Sequence, residues 1–293
     1  MQPDHHPVFA HLIDLSPVST HTYVGPAGPE ASGRTFGGQF LAQGLAAAYR
    51  SVDGDRRAHS LHAYFVRAGE VAEPTIYEVE LIRDGRSFAA RSVVGRQQGK
   101  EVVRLMLSFQ VAEGGLDYQP GKRYPIESLP SPDEVATTYN DVAHQHADIG
   151  PGPWEGDTRP MDIRYINPPT APEGVPVIEP QLMWLRITGP VPAGQASHDA
   201  GLAYLADSTL VDHVALPHGH RWHDARLTGT SLDHAMWFHR PTQVDRWVLY
   251  DQRVEHTGGA RGLVTGHFYT TSGELVATCS QEGLMRWTAG PAS

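Results

Sequence analysis

The same order of elements occurs twice in the chain, and this repeat restricts the possible folds more than any other feature. A stretch rich in Ala, Leu and Gln follows Gly37-Gly38 and covers residues 39–52, which is typical of a helix opened by a glycine turn. A second helix-forming stretch covers residues 202–214. Runs of alternating apolar and polar residues then predict antiparallel strands at 60–67, 75–83, 88–97 and 102–111 in the first copy and at 233–239, 247–256, 262–270 and 274–286 in the second. The repeat predicts an α+β fold of two tandem units, each with a central helix wrapped by a curved antiparallel β-sheet.

A proline-rich stretch separates the two copies. The prolines between residues 118 and 160 include Pro120, Pro125, Pro130, Pro132, Pro151 and Pro153. Such a density indicates a connection. We therefore divide the chain into a first unit at 1–115, a connecting segment at 116–158 and a second unit at 159–293 that carries the catalytic residues. Two fused units can pair their sheet edges into one continuous sheet, whereas two unrelated α+β domains are the alternative.

Short sequence matches between the copies support a duplication. Ser60-Leu61 corresponds to Ser231-Leu232, and Leu41-Ala42-Gln43 corresponds to Leu205-Ala206-Asp207. Arg91 likewise corresponds to Arg261.

Composition excludes several classes of protein. Hydrophobic residues make up 40% and charged residues 19% of the 293 positions, which is typical of a globular chain. The formal net charge of -10 and the absence of a Lys/Arg run argue against a nucleic-acid partner. Cys279 is the single cysteine, so the chain can form neither an internal disulfide nor a cysteine-rich zinc site.

The same inspection bears on location. The most apolar helical stretch, 40–49, is interrupted by Gln43 and is too short to span a bilayer. The first residues show no basic segment followed by an apolar one, which a secretory signal would need. We therefore expect a cytoplasmic protein with no membrane partner.

Common catalytic motifs are missing. The sequence contains no G-x-S-x-G elbow, no G-x-x-x-x-G-K-[ST] loop and no G-x-G-x-x-G turn, which disfavours a serine hydrolase of that type, an NTPase and a nicotinamide enzyme. His218, His220 and His223 have a spacing that suits metal ligands, but a histidine-rich loop after Pro217 is the interpretation we favour. We expect neither a metal nor a cofactor.

Three polar residues in the second copy are candidates for chemistry. Asp207 is surrounded by small and apolar residues, and burial there would raise its pKa towards a value useful for a general base. Ser231 begins a strand-like run and Gln281 lies in the last one. Taken singly, each also fits a structural role: a helix-terminal Asp, a strand-edge hydroxyl or a satisfied amide.

Several motifs together resemble the type II acyl-CoA thioesterases, the TesB-like family. They are Phe36-Gly37-Gly38-Gln39, Ser60-Leu61-His62-Ala63-Tyr64-Phe65, Arg83-Asp84-Gly85-Arg86-Ser87-Phe88, Ser231-Leu232-Asp233-His234-Ala235-Met236-Trp237-Phe238-His239-Arg240-Pro241, Ala260-Arg261-Gly262 and Gln281-Glu282-Gly283-Leu284-Met285-Arg286. The resemblance implies a double hot-dog fold and hydrolysis of thioesters. It also implies that Asp207, Ser231 and Gln281 jointly orient a water molecule, with Ser231 standing where many relatives have Thr.

This resemblance leads to a mechanistic hypothesis. Asp207 takes a proton from water as the water attacks a fatty acyl-CoA, and no acyl-enzyme forms. Gln43 stands where Asp207 stands in the other copy, which predicts one site per chain. Gly37 and Gly38 are candidate substrate-binding residues because they permit close backbone approach, although we expect the oxyanion donors at the equivalent helix of the second copy. His62 is a further substrate-binding residue and a competing base.

Two other functions stay open at this point. A non-catalytic acyl-CoA binding module would not need the Asp, Ser and Gln set. A hot-dog enoyl-CoA hydratase would need a His and Asp pair on the helix, and Asp212-His213 are adjacent there, although neighbouring helical residues point in different directions. For any of these functions we expect a homodimer or homotetramer.

Overall fold

The computed structural model describes residues 8–29, 33–120, 125–144, 159–221, 224 and 226–288. Its helices are α1 (Phe9–Leu12), α2 (Gly37–Tyr49), α3 (Tyr139–His144) and α4 (Gln195–Ala206), with 3₁₀ helices at Ile126–Ser128 and Val211–His218. Its strands are β1 (Ser16–Ser19), β2 (Thr22–Gly25), β3 (Arg56–Phe65), β4 (Thr75–Asp84), β5 (Phe88–Gln97), β6 (Lys100–Val111), β7 (Met161–Tyr165), β8 (Gln181–Ile187), β9 (Leu227–Ser231), β10 (Asp233–Phe238), β11 (Val248–Gly258), β12 (Arg261–Thr270) and β13 (Leu275–Trp287).

The described strands form a single antiparallel sheet. Its strand order is symmetric about the centre: the strands of each half follow one another in the same way from the edge inwards. The order is β1-β2-β4-β5-β6-β3-β10-β13-β12-β11-β8-β7, with β9 paired to β13 outside this row. The first six strands come from one half of the chain and the last six from the other, and β3 pairs with β10 at the centre. In that central pair, Ala63 lies opposite His234. The two halves therefore share one sheet without an open edge between them.

The sequence located the central strands but misplaced the second helix. Each predicted strand overlaps an observed one, whereas the short strands β1, β2, β7, β8 and β9 were not predicted. The helix predicted at 202–214 is wrong in its bounds, since α4 begins at Gln195, ends at Ala206 and has Asp207 as its C-cap. Thr209 has a φ of 62°, a conformation that ends a right-handed helix.

The two long helices pack against each other through small and apolar side chains. Leu41 and Leu45 of α2 and Leu202 and Leu205 of α4 are fully buried. Gly38 permits the closest approach, because a Cβ atom there would lie 2.4 Å from the carbonyl oxygen of Tyr204. This contact fixes the start of α2 beside the end of α4.

A buried ion pair links the halves at the other end of this helix pair. The Asp199 carboxylate of α4 is fully buried and accepts hydrogen bonds from Arg57 of β3, Nη2 to Oδ1 at 2.7 Å and Nε to Oδ2 at 3.0 Å. The Tyr49 hydroxyl of α2 donates to Asp199 Oδ2 at 2.6 Å. The paired guanidinium and the phenol satisfy a carboxylate that would otherwise be buried without compensation.

Part of the predicted connecting segment lies on the second half. Ile126 and Val135 pack with Trp184, Leu249 and Tyr269 in a small apolar cluster. Residues 121–124 and 145–158 of that segment lie outside the described residues. Among the described helices, none is long and apolar enough to cross a membrane.

Candidate active site

Asp207 lies where α4 ends against the start of α2, and both of its oxygens accept hydrogen bonds. The side-chain amide of Gln281 donates from Nε2 to Oδ1 at 2.6 Å, and the backbone N–H of Gly38 donates to Oδ2 at 2.8 Å. The residue is 7% exposed and Gln281 is fully buried. The structure thus brings together two of the three predicted catalytic residues and both predicted glycines, of which Gly38 donates a hydrogen bond.

The glycine pair explains how a helix start reaches the carboxylate. A Cβ atom on Gly37 would lie 2.6 Å from Asp207 Oδ2 and 2.9 Å from the Phe65 ring. Only glycine leaves room for the carboxylate at this point. The N–H groups of the first turn of a helix carry partial positive charge, which favours an anion there.

The oxyanion donors were expected at the helix of the second copy, and their location stays a prediction. Asp207 is the C-cap of α4, so the N-terminus of α4 at Gln195 lies twelve residues away. The helix start beside the carboxylate belongs to α2, in the first half of the chain.

The electrostatic surroundings place the pKa of Asp207 far above that of an ordinary carboxyl. Burial raises this pKa from 3.8 to about 7, against hydrogen bonds from Gln281 and Gly38 and the charge of Arg159, which lower it. The charge of Asp212 raises it further. A carboxylate that changes protonation near neutral pH is suited to act as a general base.

Ser231 lies on the face of the sheet that carries Gln281. It ends β9 and pairs with Gly283 of β13, two residues beyond Gln281, so the side chains of Ser231 and Gln281 leave the sheet on the same side. Within the described residues its hydroxyl makes no hydrogen bond to Asp207 or Gln281. The structure therefore places Ser231 on the same face of the sheet as Gln281, without a hydrogen bond to Asp207 or Gln281.

His62 is not part of this group of residues. It is exposed, whereas its neighbours Leu61 and Ala63 on β3 are buried, so its ring lies on the opposite face of the sheet from the core. The ring makes an edge contact with Trp237, at 5.3 Å between centroids. The structure does not bring this predicted residue to Asp207.

Gln43 has a structural environment in the first half. It is fully buried, its Nε2 donates to the carbonyl oxygens of Leu12 and Pro26 at 2.8 and 3.0 Å, and its Oε1 accepts from Tyr77 at 2.8 Å. These partners satisfy both ends of the amide, so Gln43 has no free group to direct at a substrate.

His234 is a buried residue that sequence reasoning missed. It lies on β10, is 1% exposed and has a pKa lowered by burial to about 4, against a hydrogen bond to Gln281 that raises it. The Asp-His-x-Met-Trp run that carries it was the available signal, but only the tertiary structure brings it close to Gln281.

The predicted histidine cluster does not assemble among the described residues. His218 contacts Thr257 at 2.8 Å, while His220 lies 3.4 Å from Asp224. His223 lies outside the described residues. Asp224 and Glu173 approach His220 closely, but both carboxylates pair with Arg226, at 2.7 and 2.6 Å. A guanidinium therefore already neutralises the carboxylates that a cation would need.

The adjacent pair considered for a hydratase has separate partners. Asp212 accepts a hydrogen bond from Tyr139 at 2.9 Å, whereas the buried His213 ring contacts the Tyr165 hydroxyl at 3.3 Å. Burial lowers the pKa of His213 to about 3. Asp212 and His213 thus contact different tyrosines and do not form a hydrogen-bonded pair with each other among the described contacts.

Comparison with solved structures first identifies the class of fold, the hot dog fold. A protein from Alicyclobacillus acidocaldarius described as having a hot dog fold superposes with a TM-score of 0.75 at 19% identity, covering 97% of this chain and 98% of that one. At this identity the likeness concerns the fold alone, a large antiparallel sheet with few helices.

Sequence comparison then identifies the family. The family described as acyl-CoA thioesterase matches residues 167–284, and the acyl-CoA thioesterase N-terminal domain matches residues 26–110. Acyl-coenzyme A thioesterase 8 of Mus musculus is 34% identical over 287 residues, which cover 94% of this chain and 88% of that one. An acyl-CoA thioesterase II, TesB2, from Mycobacterium marinum superposes with a TM-score of 0.77 at 34% identity, covering 97% of this chain and 100% of that one.

This chain belongs to the acyl-CoA thioesterase family. The predicted family and the predicted enzyme class, a thioester hydrolase, are thereby confirmed.

Proposed function

We propose that the protein hydrolyses fatty acyl-CoA to a free fatty acid and coenzyme A, with Asp207 as the general base. The observation that carries this proposal is the buried Asp207 carboxylate, whose pKa is raised to about 7 while Gln281 and the start of α2 hold its two oxygens. A base of this pKa is half ionised near neutral pH and can accept a proton from water.

In the proposed reaction, a water oxygen bonds to the thioester carbonyl carbon while Asp207 takes one of the water protons. Ser231 and Gln281 orient that water, so that positioning lowers the barrier. The tetrahedral intermediate then breaks its C–S bond, the thiolate of coenzyme A leaves, and the proton on Asp207 returns to the sulfur or to solvent. The partial positive charge at the start of α2 favours the negative charge that develops on the carbonyl oxygen.

We propose further that the chain is a double hot-dog with units at 1–115 and 159–293, a connection between them and one catalytic site. The strand order that reads the same from both edges supports two equivalent units. The satisfied amide of Gln43 supports a single site. We also propose a homodimer or homotetramer, because Tyr64, Met106 and Trp237 are exposed large apolar side chains at the centre of the sheet.

The test measures release of the free thiol of coenzyme A from acyl-CoAs of several chain lengths, by the native chain and by Asp207→Asn. We expect hydrolysis by the native chain and a loss of at least a hundredfold in kcat for the variant. Asp245→Asn, at an exposed carboxylate, is the matched control and should leave kcat unchanged.

Other outcomes would point to other functions. Unchanged hydrolysis by Asp207→Asn would contradict the mechanism. Saturable binding of acyl-CoA without thiol release would favour a binding module, and hydration of crotonyl-CoA would favour a hydratase.

A further inference from the structure

His234 and Gln281 lie close together on neighbouring strands. β10 and β13 are antiparallel, and Ala235 lies opposite Ser280 at the end of their shared register. His234 and Gln281 are the next residue of each strand, and Gln281 lies close enough to raise the pKa of the His234 imidazole. His234 is 1% exposed and Gln281 is fully buried. The imidazole is thus held in the interior, close to the amide that contacts Asp207.

Gln281 and His234 carry complementary polar atoms, the Oε1 atom and the ring nitrogens, and these atoms form no hydrogen bond to other described residues. Gln281 uses Nε2 for Asp207, while its Oε1 is buried and has no partner among the described residues. Both ring nitrogens of His234 are likewise buried and make no hydrogen bond with ideal geometry among the described residues, although Gln281 lies close enough to raise the pKa of the ring. A neutral imidazole carries one N–H donor, and a buried donor facing a buried acceptor gains most from pairing.

The first half of the chain provides a comparison at the equivalent positions. Matching Ser60-Leu61 to Ser231-Leu232 makes Ala63 the counterpart of His234, and these two residues pair at the centre of the sheet. Ala63 lies opposite the apolar Leu105 of β6, whereas His234 lies close to the polar Gln281 of β13. The polar pair therefore occurs in the half that carries Asp207, and an apolar pair replaces it in the half that carries Gln43.

We propose that His234 is a positioning residue whose ring N–H donates to Gln281 Oε1 and thereby keeps the amide turned with its NH₂ group towards Asp207. If the amide turned over, Oε1 would face the carboxylate and the two oxygens would repel each other. The hydrogen bond that favours ionised Asp207 would then be lost. This inference rests on the proposed function, because it concerns the same carboxylate.

If His234 holds the Gln281 amide in place, a substitution of His234 should change both kcat and the pH dependence of kcat. Loss of the Gln281 donor raises the pKa of Asp207, so the acid limb of the kcat profile moves to higher pH. The other charged or titratable groups that act on Asp207 or are acted on by it are Arg159, Asp212, Tyr250 and Cys279, and they are the same in every variant below.

The experiment compares His234→Phe, which keeps the ring volume without an N–H, with His234→Asn, which retains an amide donor. We expect His234→Phe to lower kcat about tenfold, as for one lost hydrogen bond, with KM within about twofold and the acid limb shifted upwards. His234→Asn should recover most of both changes. In a Gln281→Ala background, His234→Phe should cause no further change.

Unchanged kcat and acid limb in His234→Phe would overturn the inference, as would an equal loss in the Gln281→Ala background. His239→Phe, at an exposed imidazole after the same strand, is the control for loss of a histidine. Thermal unfolding is followed for each variant, and if His234→Phe does not fold, His234→Ala takes its place. Full activity of Asp207→Asn would mean that the proposed function itself fails, whereas an inactive Asp207→Asn beside an unaffected His234→Phe would refute only the role of His234.

Discussion

The backbone N–H of Gly38 donates to Asp207 Oδ2 at 2.8 Å across 169 positions of sequence. Gly38 lies in the first turn of α2, and Asp207 is the C-cap of α4. The candidate site therefore exists only where the two helices meet. Neither half of the chain contains it alone, so the proposed chemistry requires α2 to pack against α4.

The raised pKa of Asp207 predicts the pH dependence of the reaction. A general base must be ionised, so kcat should fall as pH decreases through about 7 and reach a plateau above it. At pH values well below the pKa of Asp207, kcat should fall about tenfold per pH unit, since only the ionised fraction is active. The pH profile of thiol release between pH 5 and 9 checks this, and a rate that is constant from pH 5 to 8 would rule out Asp207 as the base.

Gly37→Ala should damage the site without unfolding the protein. The new Cβ would lie 2.6 Å from Asp207 Oδ2, so the carboxylate or the start of α2 must shift. We expect kcat to fall at least tenfold, because misplacement of a catalytic group by a fraction of an ångström is costly. Gly114→Ala is the control, as nothing lies within 4 Å of a Cβ there. Equal kcat in both variants would show that the close approach at Gly37 has no catalytic role.

Ser231 should contribute through its hydroxyl and not through its size. Ser231→Ala is expected to lower kcat about tenfold or more by removing a group that orients water. Ser231→Thr keeps the hydroxyl and should stay within about threefold of the native rate. The comparison is made at saturating acyl-CoA. A fully active Ser231→Ala would remove Ser231 from the mechanism.

The Arg57–Asp199 pair should matter for stability and not directly for chemistry. Arg57→Ala leaves a fully buried carboxylate without its cation, which should reduce the free energy of unfolding by about 3–5 kcal/mol. Arg104→Ala breaks an exposed pair with Glu101 and should cost less than about 1 kcal/mol. Urea unfolding of both variants measures the difference. Similar losses would mean that the Arg57–Asp199 pair contributes no more to stability than an exposed pair does.

Some features of the fold could be predicted from the sequence because they depend on local patterns. Alternation of apolar and polar residues indicated the central strands of both halves, such as β5 and β12, and the repeated order predicted two equivalent units. The short strands β7 and β9 escaped detection because a few residues carry too little periodicity. The end of α4 was misplaced because apolar residues occur on both sides of Asp207, at 202–206 and 210–211, and only the left-handed backbone at Thr209 marks the stop.

The sequence by itself determined which residues are available for chemistry and which family the chain resembles. It identified Asp207, Ser231 and Gln281 one by one, but each also fitted a structural role. Tertiary structure alone decided that Asp207 is buried against the start of α2 and that His62 lies on the other face of the sheet. It also brought His234 close to Gln281. The physical reason is that burial, strand register and helix contact arise between segments far apart in the chain, and these set the pKa and the orientation of the groups that the sequence only names.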